Sequence, residues 1–512
     1  MTATLGELLP QAACRFGDRT AVIVEDKAFT FNQLDQLSNR IANGLVAAGV
    51  QPGDRVTLYG HNCWEWLVAY YGIVKTGAVI NPINVMLTPE EVRYTVENSG
   101  ARAVVASNDK GAPLLDLKGG TTLSDVVLWG DHIPTGASSF ANWIQNGKPT
   151  FDPVPRQPGD LASICYTSGT TGFPKGAMQS HRSVIYAIIG TGLMAARGPN
   201  DRFVSSLPCP HVYGSCVFNS SIMAGGIFIL VPRFEERAFL TAITEHRATM
   251  IDGVPTVYYY LLAHTDFDKY DLSSLTRCWT GGQTLPAAKS QEFSDRVGCP
   301  VHEVWGMTEL AGPASANPAI GPNKRGTIGI AYPGNQMRIV DAAEPSKVLG
   351  PHERGELMFQ GPMVMDGYYS NESATRETIE PDGWLHSGDI ATVDEDGYFM
   401  IVDRKKDMIL TAGFNVYPAE LERVLCMHPA VALAAVASVP DEAKGELAKA
   451  YVIIKPGSET TKQALVQHCR EHLAAYKVPR AVQFVDDVPK TSTGKIMRRS
   501  LRDIDDGTRA VG

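Results

Sequence analysis

A segment rich in glycine and hydroxyl groups, residues 166–176, carries the side chains best suited to binding an anion. Its sequence is Tyr-Thr-Ser-Gly-Thr-Thr-Gly-Phe-Pro-Lys-Gly, and its candidate binding residues are Thr167, Ser168, Gly169, Thr170, Thr171, Gly172 and Lys175. Glycines let backbone N–H groups approach an anion closely, hydroxyls donate further hydrogen bonds, and lysine adds positive charge. The segment predicts a phosphate-binding loop, and a flexible surface loop is the alternative that composition alone leaves open.

Two lysine-containing segments match the nucleotide-binding P-loop only in part. The P-loop pattern needs a glycine, four residues and then Gly-Lys-Ser/Thr. Gly172 is followed by Phe-Pro-Lys-Gly, and Lys495 is followed by Ile496, with Pro489 where the first glycine is needed. A P-loop NTPase is therefore disfavoured.

The elements that must position these groups change character along the chain. Over the first 250 residues, helical and strand patterns alternate, as in a helix at 34–48, a strand at 55–59 and a helix at 64–76. Such alternation predicts a parallel α/β sheet. From about Gly326, short strands separated by Gly and Pro turns predict an antiparallel sheet or a small barrel.

A dense charge cluster, Arg404-Lys-Lys-Asp407, follows this region and is either a solvated turn or a hinge. Beyond it, patterns for a helix at 418–425, strands at 430–439 and 448–454, and a helix at 462–475 predict a compact α+β domain. Near its end, Arg498 and Arg499 are expected to form a basic, solvated face.

Composition limits the class of protein. The 512 residues carry 46 Lys and Arg against 55 Asp and Glu, a net charge of −9, which disfavours a nucleic-acid partner. Nine scattered cysteines contain no Cys-x-x-Cys pair and indicate reduced thiols. No secretory leader pattern is visible, and no apolar run approaches the roughly 20 residues of a membrane span. A cytoplasmic protein without a membrane span is predicted, and both a monomer and a homodimer are left open.

Four further segments share the chain with the loop in a fixed order. They are Trp305-Gly-Met-Thr-Glu309, Gly383-Trp-Leu-His-Ser-Gly-Asp389, Asp403-Arg404 and Pro489-Lys-Thr-Ser-Thr-Gly-Lys495-Ile-Met-Arg498. Together with residues 166–176, they resemble the motif set of the acyl-adenylate-forming superfamily, the AMP-binding enzymes. Acyl-CoA synthetases, nonribosomal peptide adenylation domains and firefly luciferase belong to that superfamily. The resemblance extends from Phe29 to Arg502.

The resemblance implies a fold of two domains. Residues 1–403 would form a large N-terminal domain of two doubly wound α/β subdomains plus a small β-barrel, the β-rich part being about 326–403. Residues 404–512 would form a smaller, mobile α+β C-terminal domain with its hinge near Lys406.

The resemblance also implies a two-step reaction that uses ATP, Mg²⁺ and coenzyme A. A carboxylate attacks the α-phosphate of ATP, pyrophosphate leaves, and a thiol then displaces AMP from the acyl adenylate. Lys495 would stabilise the charge that develops in the first step, and Glu309 would ligate Mg²⁺. The remaining implied roles concern binding of the nucleotide and of CoA. Residues 167–175 would bind the β- and γ-phosphates, and Thr308 would contact a phosphate. Trp305, Gly282, Gln283 and Thr284 would lie at adenine, Asp389 and Arg404 would bind the ribose, and Gly413 would line the pantetheine tunnel. Ala412 departs from the Gly-Gly or Lys-Gly that relatives often carry before this tunnel position.

The acid is constrained by the segments that match the family's acyl pocket. His211, Val212 and Tyr213 would border it, with Gly281 and Tyr258 as further walls. No acidic residue occurs at 212–219 to hold an α-ammonium group, so a free amino acid is disfavoured. A medium-chain, branched, cyclic or aromatic acid is favoured, although helix-spaced tyrosines such as Tyr258 also suit a hydrophobic core.

Three functions remain from the sequence alone. A carboxylate–CoA ligase is the preferred interpretation, since no carrier domain follows Arg502. An adenylating ligase that loads an acyl carrier protein is the alternative enzyme. A non-catalytic nucleotide or acyl-CoA binding module is disfavoured by the presence of Lys495, Glu309, Asp389 and Lys175.

Overall fold

Helices and strands alternate along the first 300 residues, as the apolar patterns predict. The computed structural model describes residues 4–167, 174–411, 414–441, 445–491 and 494–504. The α-helices in this part of the chain are α1 Leu5–Phe16, α2 Phe31–Ala47, α3 Trp64–Lys75, α4 Pro89–Asn98, α5 Asn108–Gly111, α6 Phe140–Asn146, α7 His181–Met194, α8 Val212–Ala224, α9 Glu236–His246, α10 Pro255–Ala263, α11 Ala287–Val297, α12 Glu372–Thr378, α13 Pro418–Met427 and α14 Lys462–His472. Short 3₁₀ turns occupy Ala112–Leu117, Phe267–Lys269, Thr308–Leu310, Lys405–Asp407 and Arg498–Ile504.

Local sequence signals set several of these boundaries. The Thr30 hydroxyl accepts from the backbone N–H of Gln33, and the Gln33 side chain accepts from Thr30 in return, which caps α2. Gly49 follows this helix with a φ of 88°, a left-handed value that favours glycine. The predicted strand at 55–59 and the predicted helix starts at 64, 418 and 462 agree with the structure.

The larger sheet has nine strands, of which the central ones are parallel. Its spatial order is β16-β15-β14-β13-β12-β10-β11-β1-β2. These strands are β1 Thr20–Val24, β2 Lys27–Thr30, β10 Arg202–Ser205, β11 Ile227–Leu230, β12 Met250–Gly253, β13 Arg277–Gly281, β14 Val301–Met307, β15 Gly312–Ala316 and β16 Ile330–Ala331. Helices α7 and α8 pack against each other and against β15.

The second sheet has eight strands and carries the predicted phosphate loop. Its order is β19-β9-β8-β4-β3-β5-β6-β7. These strands are β3 Arg55–Tyr59, β4 Val79–Ile83, β5 Ala101–Ser107, β6 Asp125–Trp129, β7 Ser138–Ser139, β8 Leu161–Thr167, β9 Lys175–Ser180 and β19 Gly367–Tyr368. Strands β8 and β9, which flank the predicted phosphate loop in sequence, pair antiparallel.

The β-rich segment forms a four-stranded antiparallel sheet. Its order is β17-β18-β20-β21, with β17 Gln336–Val340, β18 Gly355–Gln360, β20 Leu385–Val393 and β21 Phe399–Arg404. Strands β17 and β21 are its two edges and do not pair with each other among the described residues. Of the two alternatives predicted for this segment, an antiparallel sheet or a small barrel, the described residues show the antiparallel sheet.

The last sheet belongs to the C-terminal part of the chain. It contains β22 Ile409–Thr411, β23 Phe414–Val416, β24 Val431–Asp441, β25 Gly445–Ile454 and β26 Ala481–Phe484, with α13 packed on β24. The mixed α/β architecture, with a large N-terminal and a smaller C-terminal domain, is confirmed. The division at residue 404 stays a prediction. It falls where β21 ends, just before the short turn at Lys405–Asp407.

Of the helices that the structure describes, none combines the length and the apolar character needed to cross a membrane.

Candidate active site

The candidate site lies where parallel strands of the larger sheet end. Ligands of open α/β sheets bind outside the carboxyl ends of the strands. Strand β13 ends at Gly281 and leads into Gly282, Gln283 and Thr284, while β14 carries Trp305 and leads into Thr308 and Glu309. Because β13 and β14 are parallel neighbours, residues 282–284 and residues 308–309 lie at the same edge of the sheet.

Asp389 is fixed from two directions. The indole N–H of Trp305 donates to its Oδ2 at 2.7 Å, and Nε of Arg404 lies 3.3 Å from its Oδ1. Asp389 and Arg404 are also direct partners in the β20–β21 ladder. The Asp389 carboxylate is buried, and these contacts fix its orientation. Its acceptor oxygens therefore lie beside the Trp305 ring.

Glu309 is positioned by a residue that sequence reasoning missed. The Tyr368 hydroxyl donates to Glu309 Oε1 at 2.7 Å, and the Lys175 ammonium lies 5.2 Å from the centre of the Tyr368 ring. Pairing of β19 with β9 places Tyr368 opposite Ala177 and therefore close to Lys175. The Gly-Tyr-Tyr run at 367–369 was the sequence signal available, but its meaning depends on this long-range pairing.

The backbone around Glu309 is held as well. The Gln179 side chain donates to the Thr308 carbonyl at 2.7 Å, and the Met365 N–H donates to the Glu309 carbonyl at 2.9 Å. The only three-ligand group of His, Cys, Asp and Glu among the described residues is on α14, far along the chain at His468, Glu471 and His472. A single carboxylate fits Mg²⁺, a hard cation that proteins often hold through one or two carboxylates plus substrate phosphates.

Lys495 reaches the same region from the C-terminal domain. Its neighbour Gly494 accepts through its carbonyl from the Thr256 hydroxyl at 3.0 Å, and the Ile496 N–H donates to Gln283 Oε1 at 3.0 Å. A Cβ on Gly282 would lie 2.6 Å from Lys495 Cε. A side chain at residue 282 would therefore displace the end of this lysine, and the φ of 91° at residue 282 also favours glycine.

The electrostatics of Lys495 link it to the other predicted residues. Burial lowers its pKa to about 8, and the charge of Arg404 acts in the same direction, while Asp389 and Glu309 oppose the shift. Burial and the charge of Lys495 together lower the pKa of His211 to about 3. These residues consequently share one electrostatic environment, with a cationic lysine and a neutral imidazole at neutral pH.

His211 caps α8 and has a defined tautomer. Its Nδ1 accepts from the Tyr213 N–H at 3.2 Å, so Nε2 carries the proton of the neutral ring. His211, Val212 and Thr308 line one small cavity, and Val212 also lines a second small cavity that extends to Trp66 on α3.

The other predicted acyl-pocket residues lie on the sheet side of α8. A Cβ on Gly281 would lie 3.4 Å from Tyr213 Cε1, so Tyr213 packs over the end of β13. Tyr258 is fully buried, and its hydroxyl donates to the Trp279 carbonyl at 2.7 Å. Its ring belongs to the core cluster, and a role in the acyl pocket stays a prediction.

Some predicted residues stand apart from this geometry. Residues 168–172 of the phosphate loop and Gly413 of the tunnel lie outside the described residues. Thr167, at the end of β8, donates to the Lys175 carbonyl at 3.4 Å, and Thr284 is partly buried after β13. Lys406 is exposed in the turn between β21 and β22.

Arg498 is not part of a solvated basic face. Its guanidinium contacts Asp403 at 3.0 Å, Asp407 at 3.1 Å and Glu422 at 2.7 Å. The expectation was wrong because these three carboxylates, widely separated in sequence, converge at the junction of β21, the following turn and α13. The side chain of Arg499 is outside those described.

A two-domain enzyme that adenylates a carboxylic acid and transfers it to a thiol is the class that this fold and these residues define. The family model for the AMP-binding enzyme matches residues 9–369, and that for the AMP-binding enzyme C-terminal domain matches residues 420–495. The chain belongs to the AMP-binding enzyme family, as an AMP-forming acid–thiol ligase, which confirms the resemblance seen in the motifs.

Individual relatives match over nearly the whole chain. The long-chain-fatty-acid–CoA ligase of Bacillus subtilis is 32% identical, over 97% of this chain and 94% of its own. The 3-[(3aS,4S,7aS)-7a-methyl-1,5-dioxo-octahydro-1H-inden-4-yl]propanoyl:CoA ligase of Rhodococcus jostii is 34% identical, over 98% of both chains. The crystal structure of the anthranilate CoA ligase AuaEII in complex with anthranoyl-AMP superposes with a TM-score of 0.92, at 29% identity and with full coverage of both chains.

Proposed function

We propose that this ligase activates a medium-length acid with a branched, cyclic or aromatic body and transfers it to free CoA. The observation that carries the proposal is the position of Lys495. This lysine packs against Gly282, and the charges of Arg404, Asp389 and Glu309 act on its pKa. A cation placed there would meet both the α-phosphate of ATP and the carboxylate of the acid.

In the first half-reaction, a carboxylate oxygen of the acid attacks the α-phosphorus of ATP and the bond to the bridging oxygen of pyrophosphate breaks. Lys495 would stabilise the additional negative charge on the α-phosphate oxygens. Asp389 and Arg404 would orient the ribose, and Trp305 would stack on adenine. Glu309 would hold the Mg²⁺ that neutralises phosphate charge, and Lys175 would add a cation at the β- and γ-phosphates.

In the second half-reaction, the CoA thiolate attacks the acyl carbon and AMP leaves. The thiol needs access to the carbonyl that Lys495 faces, so the loop at 489–498 would withdraw. The contacts of Gly494 and Ile496 are hydrogen bonds between backbone and side chain, donated by the Thr256 hydroxyl in one case and accepted by the Gln283 side chain in the other, and they can break without unfolding either domain. We infer a hinge at the exposed Lys406, in the turn between β21 and β22.

The acid and its acceptor are inferred partly from relatives. The three proteins above are named as CoA ligases. The acids in their names are a long-chain fatty acid, a propanoate that carries a fused ring system, and anthranilate. In this chain, the residues that would border the acid meet at the first turn of α8, where Val212 lines two small cavities and Tyr213 packs against Gly281. Mg²⁺, a cytoplasmic location and the oligomeric state stay predictions.

The test is pyrophosphate and AMP release across a panel of fatty, branched, cycloalkyl and aryl acids, each with and without CoA. The proposal expects acid-dependent pyrophosphate release and, with CoA, a thioester. Acyl-AMP formation without turnover of free CoA would favour a carrier-protein ligase. Nucleotide binding with no acid-dependent pyrophosphate release would contradict the assignment of a ligase activity.

A further inference from the structure

We propose that α14 carries a binding site for a divalent transition-metal ion such as Ni²⁺ or Zn²⁺, held by His468, Glu471 and His472. The proposal is independent of the ligase reaction, because these residues take no part in the candidate active site. It concerns a different class of ion from the Mg²⁺ that would accompany ATP.

The spacing of the three residues places them on one face of a helix. Helix α14 spans Lys462–His472, and its last turns read His468-Cys-Arg-Glu471-His472. The histidines are therefore four residues apart, and the glutamate is three residues after the first of them. Residues three and four apart are neighbours on a helix surface. Two histidines four residues apart on one helix face also form the spacing by which helical motifs bind zinc.

The three side chains already converge. One imidazole nitrogen from each histidine and one carboxylate oxygen from Glu471 lie within 4.8 Å of one another. The centres of the two imidazole rings are 4.5 Å apart. Ligand atoms at about 2.0–2.2 Å from a tetrahedral ion are roughly 3.3–3.6 Å from each other. Glu471 and His472 are exposed, so side-chain rotations alone can close the remaining distance.

Hydrogen bonds to backbone carbonyls determine which nitrogen of each ring is free. His468 Nε2 lies 3.0 Å from the Val424 carbonyl, and His472 Nδ1 lies 2.8 Å from the His468 carbonyl. A carbonyl oxygen only accepts, so these two nitrogens carry the protons, and the other nitrogen of each neutral ring keeps its lone pair. Metal-binding histidines almost always donate their second N–H to a carbonyl or carboxylate in this way. Both rings therefore already have the outer contacts of a metal ligand.

The third residue supplies the negative charge that a cation site needs. Gln467 Nε2 donates to Glu471 Oε1 at 3.1 Å, which orients the carboxylate and leaves lone pairs on both of its oxygens. His428 packs edge-on against His468, with 5.4 Å between the ring centres. Burial, together with the charge of His468, lowers the pKa of His428, so this neighbouring ring is neutral at neutral pH and does not repel a cation.

The ligand set selects the class of ion. Imidazole suits zinc, copper and nickel, whereas Mg²⁺ prefers oxygen ligands. Two imidazole nitrogens and one carboxylate oxygen therefore favour a transition-metal ion over Mg²⁺. With three ligands from the protein, a four-coordinate ion keeps one position for water.

The position of the site indicates what a bound ion would do to the protein. His468 donates to the carbonyl of Val424 on α13, so it links α14 to the neighbouring helix. An ion that holds His468 and His472 in place would stabilise this pair of helices. Because the three ligands converge only when α14 is formed, the ion should bind the folded chain more tightly than the unfolded chain and raise its melting temperature.

The experiment titrates the full-length, metal-free protein with Ni²⁺ alone, by calorimetry, in the wild type, His472→Gln and Glu471→Gln. We expect each variant to bind Ni²⁺ at least roughly tenfold more weakly than the wild type. The matched control is His352→Gln, which should leave the affinity unchanged. His352 is also exposed and lies 2.7 Å from Glu395, but this pair has no third ligand among the described residues.

Two further measurements identify the ligands and the class of ion. Cysteine thiolates also bind transition metals, and Cys14 is exposed. The absorption spectrum of the Co²⁺-loaded protein should therefore lack a thiolate-to-metal charge-transfer band. Mg²⁺ in large excess should not displace Ni²⁺. Ni²⁺ should raise the melting temperature of the wild type more than that of His472→Gln, and the melting temperatures without metal show that the variants are folded.

Several results would overturn the inference. Equal affinity for Ni²⁺ in the wild type and in His472→Gln would refute the site, and an unchanged affinity in Glu471→Gln would refute the three-ligand arrangement. An equal loss in His352→Gln would mean that surface histidines bind the ion without a defined site. A thiolate band would move the ion to a cysteine, and displacement by Mg²⁺ would contradict the class of ion. None of these outcomes bears on acid-dependent pyrophosphate release, which tests the proposed function separately.

Discussion

Asp389 and Lys495 lie in the same site but are supported in different ways. Asp389 sits in a strand ladder, and Trp305 and Arg404 contact its two carboxylate oxygens. Lys495 lies in a loop of the other domain, next to bonds that join Gly494 and Ile496 to Thr256 and Gln283.

This difference indicates which parts of the site are permanent. A group needed in both half-reactions benefits from a fixed position, because preorganised contacts need no rearrangement during the reaction. A group needed only for adenylation must be removable. We therefore propose that a fixed nucleotide platform is combined with a cation that can withdraw, and each prediction below perturbs one of the two.

The largest effect is expected for Lys495→Ala. Acyl-AMP formation should fall by roughly 10²–10³-fold, because a charge contact made in the transition state is lost. Thioester formation from supplied acyl-AMP should persist. Pyrophosphate release and thioester yield measure the two steps separately. The control is Lys462→Ala, because Lys462 is an exposed residue of α14. Equal loss in both steps would contradict a lysine that acts only in adenylation.

Gly282→Ala should impair adenylation by roughly 10–100-fold, because the new Cβ would displace Lys495 Cε and distort a transition-state contact. Gly298→Ala is a matched control, since Gly298 has a φ of 78° with open space around it. Both variants should lose about 1 kcal/mol of stability from backbone strain. Comparable activities in the two variants would show that contact with Lys495 is unimportant.

The pH dependence follows from the lowered pKa of Lys495. Adenylation needs the ammonium form, so kcat/KM should fall about tenfold per pH unit above pH 8. The stability contribution has the opposite sign. Between pH 8 and 10.5 the unfolded chain holds more protons than the folded one, so stability should rise with pH there. Lys495→Arg, which stays protonated, should abolish the alkaline fall; a retained fall would assign it to another group.

Much of this arrangement was predictable, and the failures have a common cause. The strand at 55–59 and the starts of α3, α13 and α14 followed from apolar periodicity and capping, which are local. Tyr368 and Arg498 were missed or misassigned because their roles arise from partners far away in sequence, Glu309 for the first and Asp403 and Glu422 for the second. For the segment after Gly326, the sequence left a sheet and a barrel open, because closure depends on whether two edge strands meet.

The smallest effect is expected at the polar contact between Tyr260 on α10 and the C-terminal domain. The Tyr260 hydroxyl donates to Asp487 Oδ1 at 2.9 Å, and Lys490 contacts both groups. The cluster is partly exposed, so removing the hydroxyl in Tyr260→Phe should shift the domain equilibrium by a net hydrogen bond of roughly 0.5–1.5 kcal/mol at most.

Such a shift would act on the two half-reactions in opposite directions. Adenylation should slow by about two- to threefold, since fewer molecules hold Lys495 in place, while thioester formation from supplied acyl-AMP should be unchanged or slightly faster. The control is Tyr186→Phe, which removes the hydroxyl of an exposed tyrosine on α7. A fall of equal size in both half-reactions would mean that Tyr260 supports the fold as a whole, and the contrast between a fixed platform and a removable lysine would then lose this part of its support.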